Sequence, residues 1–235
     1  MPTTESVAPP PVQAAPAESS LPYVLPFAAF MVLLGVAPYL TALGEWEYLL
    51  RPVVLAVILL VFSRQVIDLR VSRPISGVLI GVAVFFLWIG PDVLLPGYRD
   101  SWLFQNSIMG HIKDGIAAEH QTNALVLATR SLRAIIIVPI IEELFWRAWL
   151  MRWLINPSLR LVPMGAFSWS SLLITAVMFG SEHGPYWDVG LATGIIYNLW
   201  MVRTKRLGDL VLVHAVTNAC LSAYVLLFQK WQYWP

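Results

Sequence analysis

Long apolar runs, broken by short polar stretches, recur from residue 22 to residue 228. Most come near the ~20 residues a helix needs to cross a hydrocarbon core of about 30 Å. Seven candidate spans result, at roughly 22–44, 50–66, 75–95, 134–153, 166–183, 187–202 and 208–228. An eighth exists if the stretch before 134 also crosses. In lipid, backbone polar groups must be satisfied internally, so only helices and closed barrels span. The apolar residues come in runs and do not alternate over ~10 residues, which argues against a barrel. The expected fold is therefore an all-α polytopic membrane protein. The chain is 58% hydrophobic and only 12% charged, with mean hydropathy +0.68; a soluble domain carries about 25% charged residues.

Residues 1–21 are rich in Pro, Ala, Ser, Thr and Glu, with no aromatic and no Lys or Arg. Such a segment buries too little apolar surface to offset ordering, so a disordered tail is expected. The basic n-region of a secretory signal is missing, so the first apolar run is expected to be retained as a span. Residues 22–235 read as a single transmembrane domain without internal repeat. A lone cysteine, Cys220, cannot form an intrachain disulfide and reads as a packing residue. The net charge is +1 and no basic cluster occurs, so no nucleic-acid partner is expected; the surrounding lipid is.

Basic residues orient the spans. Arg64, Arg70 and Arg73, then Arg152 and Arg160, then Arg203, Lys205 and Arg206 fall in alternate loops. Seven spans put these loops on one side, the cytoplasm, with the N-terminus. The misfit is 96–133, on the other side, with Arg99, Lys113, Arg130 and Arg133. An amphipathic interfacial helix over 122–133 would accommodate the last two. The polar stretch 96–124 reads as a cap over a site or a surface loop. Trp231, Tyr233 and Trp234 read as an interfacial aromatic belt.

Three short motifs place ionisable groups within these apolar runs, where each charge costs about 2.5–3.5 kcal/mol even on a lenient scale. The first is Glu142-Glu143-x-x-x-Arg147, shortly after Pro139, where the helix is expected to loosen. Glu143 and Arg147 are i,i+4 and can pair. Glu142 points about 100° away and has no partner at helical spacing, as suits a general base. A plain Glu–Arg lock between helices would explain the pair but leave Glu142 idle. The second motif is Phe179-x-x-x-His183, whose histidine could orient a water or stand at the interface. The third is His214-x-x-x-Asn218, whose side chains project together, as an oxyanion hole needs. Interhelical polar contact, worth under about 2 kcal/mol, is the plainer account. Asn198 and Thr217 read as helix-contact residues, and Asp209 suits a helix N-terminus.

This ordered set, on successive membrane segments, resembles the CAAX-processing and bacteriocin-processing (abortive-infection) intramembrane proteases. The resemblance covers about residues 130–228. The Glu-Glu-Leu-Phe-Trp-Arg core with its tryptophan-rich tail is also similar to the CAAX protease-related proteins that accompany exosortase systems. It implies a glutamate-dependent endopeptidase of a bacterial cytoplasmic membrane, acting on a membrane-associated protein or peptide. Glu142 would activate the water and His183 would help position it. Glu143 and Arg147 would support the base, and His214 and Asn218 would stabilise the oxyanion. Ala148 stands where the family usually has glycine. Nothing in the sequence indicates a prenyl group.

Glu142, His183 and His214 are also conceivable zinc ligands, but there is no His-Glu-x-x-His helix and no cysteine pair. Neither histidine has a well-placed carboxylate nearby in sequence to orient it. No metal and no cofactor are expected. The competing functions are a non-catalytic membrane scaffold or immunity protein, and a transporter, which would predict repeat symmetry.

Overall fold

The computed structural model describes residues 19–234. Of the tail expected over 1–21, residues 1–18 lie outside the described residues, and helix begins at Leu21. The described residues contain no β-strand and seven longer helices: α1 Leu21–Gly35, α2 Trp46–Ser63, α3 Pro74–Leu94, α4 Ala124–Trp153, α5 Trp169–Ser181, α6 Trp187–Thr204 and α7 Leu207–Phe228. The chain is a polytopic helical membrane protein. Four helices, α2, α3, α4 and α7, are long and apolar enough to cross a membrane. α1 and α5 are apolar but have 15 and 13 residues, about 20 Å each at 1.5 Å per residue. The first run was expected to reach 44, but the helix stops at Gly35 and short 3₁₀ turns follow. Hydropathy continues through such turns, so it overstates helix length.

Local chemistry sets the helix ends. Asn123 accepts from the backbone N–H of Leu125 and Val126, at 3.0 and 3.2 Å, and so caps α4. Ser168 does the same for α5 through Ser171. Pro74 opens α3, where its missing N–H is harmless. Asp209 stands in the first turn of α7, and its carboxylate also accepts from the Ser72 and Arg73 amides at 2.7 and 2.8 Å. One carboxylate thereby ties the starts of α3 and α7 together.

α4 departs most from expectation. The predicted interfacial helix 122–133 and the predicted span 134–153 form one helix of 30 residues. Two π-helical turns interrupt it, at 133–137 and 144–150. Pro139 follows the first; its ring removes one backbone donor from the ladder. Arg130 and Arg133, expected at the interface, are buried.

α3 lies hard against α7. A Cβ on Gly81 would stand 2.7 Å from the Val213 carbonyl oxygen, so only glycine permits this approach. α5 and α6 form a second close pair, joined by the turn that carries His183. α1 and α2 cover α4 through Phe30, Leu55, Ile141 and Leu144. Apolar side chains such as Ile75, Leu79, Phe86 and Leu227 face outward, where lipid replaces water.

The three basic loops gather at one end of the bundle. Gly208 packs on Leu69 and Arg70, and Gly165 on Met201 and Lys205. The opposite end is closed by 96–123 and the C-terminal turn. There Arg99 pairs with Asp92 and Asp188 at 2.8 and 2.7 Å, and Gly115 donates to the Trp231 carbonyl. Met109 lies over Gly184, beside His183. The polar stretch is thus a packed cap at that end. Trp231, Tyr233 and Trp234 are buried against this core and form no interfacial belt.

Candidate active site

Glu142, Glu143 and Arg147 come from α4, His183 from just past α5, and His214 and Asn218 from α7. The short α5 ends at Ser181, and the turn after it carries His183. The His183 and His214 rings both pack on Phe179, with centroids 4.8 and 6.5 Å away. Glu142, His183, His214 and Asn218 line one cavity of about 240 Å³.

The two adjacent glutamates have different surroundings. Glu143 is fully buried and saturated. Its carboxylate accepts from Arg147 Nη1 at 3.3 and 3.0 Å and faces His214 Nδ1 at 2.7 Å. Arg147 extends the network: its Nε donates to Asn198 Oδ1 at 2.8 Å, and its guanidinium lies over the Phe179 ring at 4.3 Å. Asn198 in turn donates to the Leu172 carbonyl at 2.9 Å. Glu142 has no such partner; the nearest charged contact is His214 Nε2 at 4.0 Å, and its carboxylate faces the cavity.

These contacts set what each histidine offers. His214 Nδ1 is held by Glu143, so Nε2 faces Glu142 and the cavity. The carboxylate partner that sequence could not find for His214 is Glu143, from another helix. His183 Nδ1 lies 2.7 Å from the Phe179 carbonyl, which can only accept; Nδ1 therefore donates, and Nε2 of the neutral ring is an acceptor. Gly190 lets that ring lie close, since a Cβ there would meet it at 3.1 Å. Asn218 Nδ2 donates to the Ala134 carbonyl at 2.8 Å. One N–H of the amide is used, and the second remains. His214 and Asn218 are thus anchored separately and do not project as one bare pair.

Several neighbours were not singled out by sequence. The Trp88 ring from α3 packs tilted at 5.1 Å from His183, and Tyr197 from α6 at 5.3 Å from His214. Glu182 accepts from Trp146 at 3.1 Å. Arg133 also lines the cavity. Asn198, read as a helix-contact residue, serves the arginine. Only the polarity of Asn198 and Glu182 within apolar runs could have marked them.

Residues 124–220 match the Rce1-like family of type II CAAX prenyl endopeptidases. The match begins at the start of α4 and takes in all three motifs. The segment is thus similar to a family of endopeptidases, and the match does not single out the exosortase-associated subgroup. Helices α1 to α3 lie outside it. No curated protein and no solved structure matches the chain.

Proposed function

We propose that this protein is a glutamate-dependent intramembrane endopeptidase that hydrolyses a peptide bond of a membrane-associated protein or peptide. The carrying observation is the contrast between the two glutamates. Glu143 is committed to Arg147 and His214, whereas Glu142 is buried, uncommitted and turned to the cavity. A base must be free to take a proton.

In this reading a water sits between Glu142 and His183. His183 Nε2 accepts one of its hydrogens and fixes its orientation. Glu142 removes the other proton as the oxygen attacks the carbonyl carbon. His214, carrying a proton on both ring nitrogens between the Glu143 and Glu142 carboxylates, and the free Asn218 N–H donate to the developing oxyanion. Glu142 then passes its proton to the departing amine nitrogen as the C–N bond breaks. Glu143, Arg147 and Asn198 position His214 without touching the substrate. The gathering of the basic loops at one end supports a cytoplasmic N-terminus in a bacterial inner membrane.

The test uses purified protein in liposomes with a quenched-fluorescent library of apolar peptides. Glu142→Gln should lower turnover by about 10²–10⁴-fold, the usual range for a general base, with unfolding temperature unchanged. Full activity of that variant would overturn the assignment, and a wild-type protein inert on every peptide would favour a non-catalytic scaffold. Turnover should survive chelation. Loss with chelator and recovery with zinc would replace the glutamate mechanism by a metal-dependent one on the same residues.

A further inference from the structure

Two carboxyl groups line the cavity, Glu142 and Glu182. The mechanism above uses the first and leaves the second idle. Glu182 follows Ser181 at the end of α5 and is half-buried. Trp146, from the second π turn of α4, donates its indole N–H to Glu182 Oε1 at 3.1 Å. The Trp146 ring in turn meets Phe179 edge-on at 6.1 Å. One oxygen is therefore held between α4 and α5. The other has no hydrogen-bond partner among the described residues.

The surroundings leave no cation for Glu182. Arg147 is bound to Glu143 and Asn198, and the protonated His214 stands between Glu143 and Glu142. Neither makes an ion pair with Glu182 among the described residues. Arg133, which also lines the cavity, has Arg130, Arg51 and Glu47 as its charged neighbours. The parts of α1, α3 and α6 that line the cavity bring no charged side chain. Glu142, by contrast, is close enough for two negative charges to repel. The carbonyl end of α5 adds partial negative charge at the same place. An anion here would be answered by one indole N–H, and a proton removes that charge at less cost. The protonated carboxyl gains an O–H donor. With Oε1 accepting from Trp146, that donor sits on Oε2.

We propose that Glu182 is a neutral carboxylic acid that donates its O–H to a backbone carbonyl of the substrate, next to the scissile bond. It is then a further substrate-binding residue of the site. This rests on the peptidase reading given above. A peptide drawn into the cavity leaves water behind, and each buried carbonyl then needs a donor. His214 and Asn218 serve the scissile carbonyl. Thr217, Tyr233 and Arg130 also line the cavity but donate elsewhere, to the Gly81 carbonyl, Asp92 and the Trp234 carbonyl. Glu182 stands within reach of Glu142 with its donor unspent. Residues of an extended peptide follow one another at about 3.3 Å, so a donor close to the base falls beside a neighbouring carbonyl.

The experiment uses the purified protein in phosphatidylcholine liposomes at neutral pH and has two arms. Infrared spectroscopy reads the C=O stretch of protonated carboxyl groups, which lies apart from the carboxylate bands. The band should be present in the wild type, persist in Glu142→Gln and fall in Glu182→Gln. The second arm measures the quenched-fluorescent apolar peptides. Glu182→Leu should raise KM by about 2- to 10-fold, the value of one hydrogen bond. Its kcat should hold, the pattern of lost uniform binding. Glu182→Gln keeps an N–H donor in the same place and should recover part of that loss. Peptide affinity for the Glu142→Gln protein, read by tryptophan fluorescence, should fall by the same factor when Glu182→Leu is added. An infrared spectrum unchanged by Glu182→Gln would overturn the proposal, because the carboxyl would then be ionised. So would a Glu182→Gln protein as impaired as Glu182→Leu, or a loss confined to kcat. Peptide binding that weakens with Glu182→Leu, without cleavage by the wild type, would retire the peptidase and leave the donor. Cleavage by a protein whose carboxyl band ignores Glu182 would retire the donor alone.

Discussion

Arg133 and Arg147 stand on the same helix, each in a π-helical turn and each buried. Their surroundings are opposite. Arg147 meets Glu143, Asn198 and the Phe179 ring; only its Nη2 lacks an oxygen partner. Arg133 meets no partner among the described residues. One arginine is consumed by the fold and the other is held in reserve by it. Burial alone does not tell a structural charge from a receptive one; the account of its donors does.

The largest effect should come from cutting the saturated network. Arg147→Ala leaves Glu143 as a buried carboxylate facing His214 alone, and strands the Asn198 carbonyl. Loss of one partner from such a pair costs about 3–5 kcal/mol. The measurement is thermal unfolding in detergent, together with abundance in the membrane. An unfolding temperature within a degree or two of wild type would mean that Arg147 is as idle structurally as Arg133, and the contrast would collapse.

The opposite substitution should have a smaller effect of opposite sign. Arg133→Leu removes an unanswered guanidinium and leaves no partner behind. Stability should be unchanged or raised by up to about 2 kcal/mol, as when buried charges give way to apolar side chains of similar size. The same unfolding assay reads it. A loss as large as that of Arg147→Ala would show that Arg133 is structural, whatever binds in the cavity.

How far the sequence carried can be read from these same residues. The i,i+4 spacing of Glu143 and Arg147 was enough to expect their pairing, because helix geometry alone brings them together. The helices were legible for the same reason: apolar runs in lipid have few alternatives. Arg133 was misread as interfacial because its neighbours on 122–133 are amphipathic, and because the π turn that rotates it inward has no sequence signature beyond the proline after it. The contact between His214 and Glu143 crosses 71 residues of chain. Periodicity cannot reveal such a partner, and Asp209, five positions away, turned out to serve α3. The ends of α1 and α5 were missed because turns within a membrane protein remain apolar.

A third arginine extends the comparison to solvent. Arg70 pairs with Asp68 in the loop between α2 and α3, with contacts of 2.7, 2.9 and 3.1 Å. The geometry is as good as that of Arg147 and Glu143, but both side chains are exposed. The side-chain hydrogen bonds from Arg70 hold the Asp68 carboxyl down to about 2. A lowered folded-state value means that any contribution is present above the ordinary carboxylate range and is lost as pH falls through about 2. Water and salt screen such a pair, and two long side chains lose freedom in making it. Asp68→Asn should therefore leave the unfolding temperature at neutral pH unmoved, although it removes the ion pair. Titration of the Asp68 carboxyl by NMR should still find it depressed, and Arg70→Gln should return it towards its ordinary value. A clear drop in stability for Asp68→Asn at neutral pH, absent in acid, would show that contact geometry and not burial ranks these ion pairs. In that case the unpaired state of Arg133 could no longer be read as a matter of where it is buried.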